Sequence, residues 1–159
     1  IAYDHEINQD LSYRLQATSY IYHNGGTVYA DSDEKRKTTG FDALAAVTYK
    51  ELTMSMTVML ADAAFANAGD MYIGAAYSHA LPYEFMFNTS IGASIYNSSR
   101  DDALMETQKD FAFNEARIGI SKDIAQTGLN GSVDYVLGGQ DRMGNDFDNN
   151  TVIRLNYAF

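Results

Sequence analysis

Cysteine and tryptophan are absent from the 159 residues, and proline occurs once. Without cysteine there is no disulfide framework, no thiolate nucleophile and no thiolate-ligated zinc site. Three histidines, His5, His23 and His79, stand far apart, without the i, i+4 spacing that sets two imidazoles on one helix face for zinc. Basic residues are few: 11 Lys and Arg against 21 Asp and Glu give a net charge of −10, the wrong sign for a nucleic-acid footprint. No window approaches the ~20 consecutive apolar residues of a membrane-spanning helix. The mean hydropathy of −0.28 would suit a soluble protein. It suits a membrane β-barrel equally, because such strands alternate lipid-facing and inward-facing side chains and average out.

Alternation is what the chain has in abundance, in runs of about nine to thirteen residues. Leu11, Tyr13, Leu15 and Ala17 alternate with Ser12, Arg14, Gln16 and Thr18. Similar apolar rows run through Phe41–Tyr49, Leu52–Leu60, Met71–Tyr77, Phe85–Ile95, Ala116–Ile120, Leu129–Leu137 and Ile153–Phe159. Period two is the strand signature, so eight strands are expected, with room for more. Short turns near 50–51, 81–84 and 122–128 alternate with long polar segments near 23–38, 61–70, 97–110 and 138–150. Short turns on one rim and long loops on the other predict an all-β, antiparallel, up-and-down transmembrane barrel of about eight strands. Residues 1–159 read as one domain, with 1–10 as a tail or the remnant of a preceding strand. The Asn24-Gly25-Gly26 segment could tip an additional hairpin. The start at Ile1, without Met or a signal peptide, fits a processed or longer precursor.

The composition of each row decides which faces lipid. In a soluble barrel the second row meets water and carries many Lys and Glu. Here it is largely Ser, Thr, Asn, Gly and Ala, suited to a narrow interior filled by side chains. Its charges come in both signs: Arg14, Arg117 and Arg154 with Asp42, Glu115 and Asp134 are expected to form a self-neutralising lumen cluster. Tyr49, Tyr83, Phe85, Tyr157 and Phe159 collect near the short-turn ends, as an aromatic girdle at headgroup level would.

The last ten residues, NTVIRLNYAF, end in an aromatic and resemble the C-terminal strand of Gram-negative outer-membrane proteins. The segments MYIGAAYSHALPYEFMFNTSIGASIY and ARIGISKDIAQTGLNGSVDYVLGGQD resemble the TorF-type porin family of proteobacteria over about residues 70–159. That likeness implies a bacterial outer-membrane location, contact with outer-membrane lipid and lipopolysaccharide, and insertion by the barrel-assembly machinery. It implies no defined transport chemistry.

The remaining candidates are weaker. Asp141, Asn145, Asp146 and Asp148 offer oxygen ligands for calcium but lack an EF-hand register, so a solvated loop is preferred and no metal or cofactor is expected. The mixed run Asp31, Asp33, Glu34, Lys35, Arg36 and Lys37 could touch lipopolysaccharide phosphates, though internal compensation is the preferred reading. Asp101 and Asp102 lie in a loop without sign of a dry pocket, and Ser78-His79 point to opposite faces of a strand, so no enzyme is expected. The expected role is structural or porin-like. The alternatives are a membrane-anchored module whose long loops bind a partner protein, a surface polymer or a phage, and a soluble lipocalin-type ligand binder. A homo-oligomer or a larger envelope complex is left open.

Overall fold

Every alternating run pairs with the next one along the chain. The computed structural model describes residues 1–30, 34–124 and 127–157. Its strands are β1 (Ala2–Asn8), β2 (Leu11–Tyr20), β3 (Thr27–Tyr29), β4 (Lys35–Lys37), β5 (Gly40–Tyr49), β6 (Leu52–Met59), β7 (Met71–Ala80), β8 (Phe85–Ile95), β9 (Phe111–Ile124), β10 (Leu129–Gly138) and β11 (Asn150–Tyr157). Nine form one antiparallel meander in the order β1-β2-β5-β6-β7-β8-β9-β10-β11, while β3 and β4 form a separate small hairpin. Among the described residues no helix is long and apolar enough to cross a membrane.

Turn chemistry sets the registers. Lys50 and Glu51 alone join β5 to β6, pairing Tyr49 with Leu52, and Lys50 takes a left-handed φ of 54° to close the hairpin. A 3₁₀ turn, Pro82–Glu84, joins β7 to β8, with the proline at its start where its missing N–H costs nothing. Residues 9–10 link β1 to β2. These links share one rim with the β9–β10 turn, and segments 21–39, 60–70, 96–110 and 139–149 share the other.

Three expectations are narrowed or changed. Of the two readings of residues 1–10 the strand holds and the tail does not: Ala2–Asn8 pairs with β2, Asp4 opposite Arg14, and adds a ninth strand. The extra hairpin exists, but Gly25 and Gly26 precede its first strand, Thr27–Tyr29, and do not form its tip. The sheet is also not closed, because β1 and β11 are its two edges. Accessible surface reports the same openness: 10684 Å², against roughly 7,900 Å² for a compact monomer of this mass.

Candidate functional site

Cross-strand register sorts the side chains onto two faces. The row Arg14, Ala46, Ser55, Gly74, Gly92 and Glu115 runs across the sheet from β2 to β9 on one face. The neighbouring row Leu15, Ala45, Met56, Ile73 and Ala93 lies on the other. Exposure separates the faces against the usual sense. On the apolar face Ile118, Val133 and Leu155 are 51%, 47% and 68% exposed. On the polar face Asp42 and Asp134 are 5% and 4% exposed. A lipocalin-type barrel would bury the first set and solvate the second.

All six charged residues expected in a lumen lie on the polar face, but not as one cluster. Arg154 Nη1 donates to Asp134 at 2.7 Å, and Arg117 Nη2 donates to Glu115 at 3.4 Å. Arg14 pairs with Asp4 of β1 at 2.6 Å, a partner hidden while residues 1–10 read as a tail. Asp42 accepts a hydrogen bond from Tyr20 Oη at 2.7 Å and, among the described residues, pairs with no arginine. Of the aromatics expected at the short-turn rim, Tyr49, Phe85 and Tyr157 end or begin strands there, and Tyr83 sits in the 3₁₀ turn itself. Phe159 lies outside the described residues. Lys122 Nζ adds a cation 4.7 Å above the Phe85 ring at the same rim, and His79 Nδ1 lies 2.9 Å from Glu51.

Small residues on the polar face make room for large ones. A Cβ on Gly92 would run into the Tyr72 ring, and one on Gly119 would meet the Val133 carbonyl at 2.6 Å as well as the Asp134 carboxylate. Gly131, on the apolar face opposite Leu155, has open space around it. Gly119→Ala should therefore cost about 1–3 kcal/mol through overpacking and disturb the Arg154–Asp134 pair, while Gly131→Ala should change the unfolding midpoint little. Urea titration of the two variants in detergent checks this contrast.

At the opposite rim the four long segments interlock, which nothing in the sequence spacing announced. Arg36 of β4 is buried. Its Nε donates to Asp102 at 2.6 Å, its Nη1 to the carbonyls of Ala63 and Ala66 at 3.2 and 3.1 Å, and its Nη2 to the Arg100 carbonyl at 2.6 Å. One guanidinium thus ties three loops, as its planar fork of five donors allows. Of the basic run, Arg36 is turned inward and cannot meet lipopolysaccharide, while Lys35 and Lys37 are exposed. Asp31 and Asp33 lie outside the described residues.

A second buried knot joins the fourth loop. Asp70 accepts from the backbone N–H groups of Asn67 and Asn97 at 2.7 and 2.9 Å and pairs with Arg142, whose guanidinium lies 4.6 Å from the Tyr96 ring centre. Asn67, fully buried, donates to the Asn97 carbonyl at 3.0 Å and to Asp101 at 2.8 Å. Under this cap lies a cavity of about 380 Å³ lined by Met59, Met71, Tyr72, Tyr96, Met105 and Arg142. Asp101 and Asp102, read as idle loop carboxylates, are therefore structural members of the cap.

Two of the calcium candidates, Asp141 and Asp146, hold hydrogen bonds within their own loop. Asp141 accepts from the N–H of Met143 and from the N–H and Nδ2 of Asn145, which, led by the Asn145 amide, hold its carboxyl below the usual value. Asp146 accepts from Gln140 Nε2 at 2.9 Å. Among the described residues no three His, Cys, Asp or Glu converge on a metal position.

Burial pushes the Asp102 carboxyl up, but Arg36 and the N–H groups of Leu104 and Met105 outweigh it, leaving the group below its ordinary 3.8. The folded cap therefore binds this proton less readily than the unfolded chain does. Its contribution to stability is complete above the ordinary carboxylate range and fades as pH falls through the lowered value. Protease cleavage within residues 96–110 should accordingly rise below about pH 4, and the rise should disappear in Asp102→Asn.

No protein-family model, curated protein or solved structure matches this chain.

Proposed function

We propose that this chain forms the wall of an outer-membrane β-barrel with a structural or narrow porin-like role. The observation that carries the reading is the inverted burial of the sheet: Ile118, Val133 and Leu155 are exposed while Asp42 and Asp134 are buried. An aqueous solvent would penalise that exposed apolar surface at about 25 cal/mol per Å², whereas acyl chains accept it. Three further features support the reading: aromatics at the short-turn rim, long loops confined to the other, and the likeness of residues 70–159 to TorF-type porins. On this reading the interlocked loops cap the outer end, and the paired charges of the polar face line the inside. The barrel's wall would meet lipopolysaccharide and would be inserted by the assembly machinery.

The test is extraction from membranes combined with gel mobility. The protein should need detergent for release and, where its two edges are closed in the membrane, should migrate faster unheated than boiled. Single-channel conductance in planar bilayers should be small, because the cap covers the long-loop end. Release by a salt wash alone would overturn the membrane assignment.

A further inference from the structure

We infer that the sheet closes through one further strand, lying between β1 and β11 and running antiparallel to both. The inference stands on strand directions and is separate from the membrane reading. Each neighbouring pair in the meander is antiparallel, so strands in odd places run the same way. β1 stands first and β11 ninth, so both run from the long-loop rim to the short-turn rim. Direct pairing of the two would make one parallel seam, the slightly less stable ladder, in an otherwise antiparallel wall. Two copies around a common axis would meet with the same parallel seam, and β1 against β1 would turn one copy upside down. A single reversed strand satisfies both edges with antiparallel ladders.

The edges themselves are suited to pairing. Exposed edges in natural sheets are blunted by lysine, proline or bulges. Neither β1 nor β11 contains lysine or proline; the β10–β11 register is unbroken, and the β1–β2 register shifts once, between Glu6 and Asn8, leaving Ala2–Glu6 as the regular edge. Both edges keep the two-row pattern, with Tyr3 and His5 of β1 and Ile153 and Leu155 of β11 on the apolar face. On the polar face of β1, Asp4 has Arg14, while among the described residues Glu6 has no ion-pair partner. The incoming strand is therefore an alternation of apolar and small polar residues with a basic side chain at the level of Glu6.

Because the chain has no cysteine, disulfide trapping reads the seam directly. The probe is a synthetic peptide of about nine residues, the length of a membrane strand, alternating leucine and threonine with one lysine in the threonine row. One leucine position, varied along the series, carries cysteine. The full chain in detergent micelles carries His5→Cys, Ile153→Cys or both. Peptide should cross-link to each edge in an antiparallel progression, about tenfold above a scrambled peptide, equal to roughly 1.4 kcal/mol of preference. A disulfide between the two edges of one chain, a disulfide between two chains, a parallel progression, or no gain over the scrambled peptide would each overturn the inference. None of these outcomes bears on whether the apolar face meets lipid.

Discussion

Ile118→Arg should lower the stability of the bilayer-inserted protein by about 2–4 kcal/mol, the cost of a charge on the lipid face near the bilayer midplane. Ile118 sits at the middle of β9, half exposed, between Thr89 of β8 and Tyr135 of β10. In water such an exposed position would tolerate the change within about 0.5 kcal/mol. The two solvents thus predict results several kcal/mol apart for one substitution. Folding titrations in lipid vesicles measure the difference. Tyr83→Arg, in the exposed turn beyond the strands, is the control and should cost about 0–1 kcal/mol, as near an interface. A negligible cost at Ile118 would return the apolar face to water, or to a protein partner with room for a guanidinium.

Legibility in the sequence followed the range of the interactions. The strands of the large sheet from Leu11 onward were readable because a strand's two faces impose a period of two on its own residues, whereas the short β3 and β4 lay inside a segment that reads as a polar loop. The Lys50-Glu51 link was readable because two apolar rows abut there with no space for more. β1 was harder: Tyr3-Asp4-His5-Glu6 alternates, but a histidine stands in its apolar row and two acids in the other, so the contrast between the rows is weak. Its partnership with Arg14 is a tertiary fact. Openness could not be read either, because alternation specifies neighbours and says nothing about whether the first strand meets the last. The cap was least visible of all. Arg36 and Asp102 are 66 positions apart in the chain, and each lies in a run of charges whose local appearance is that of a solvated loop. A basic residue flanked by Lys35 and Lys37 gives no sign that it alone turns inward.

Arg36→Met should release the cap while leaving the sheet intact. The substitution keeps most of the side-chain volume but strands the Asp102 carboxylate and the carbonyls of Ala63, Ala66 and Arg100. Breaking a buried pair from one side costs about 3–5 kcal/mol. The lower end applies here, because Asp102 retains some contact with water and can turn toward it. The Ala63–Ala66 bridge is a local two-way backbone pairing at 2.9 and 3.4 Å that the guanidinium clamps from outside, so its amides should exchange orders of magnitude faster. Amides of β9 and β10 should keep their protection, because loops and strands open as separate units. Arg36→Lys should recover only part of the effect, since one ammonium cannot span the four acceptors that the guanidinium reaches on two neighbouring loops. Hydrogen exchange resolved by residue distinguishes these outcomes. Uniform loss across strands and loops would mean that the cap and the wall fold as one cooperative unit, and unchanged exchange at Ala63 and Ala66 would mean that the second knot, Asp70 with Arg142 and Asn67, holds the cap by itself.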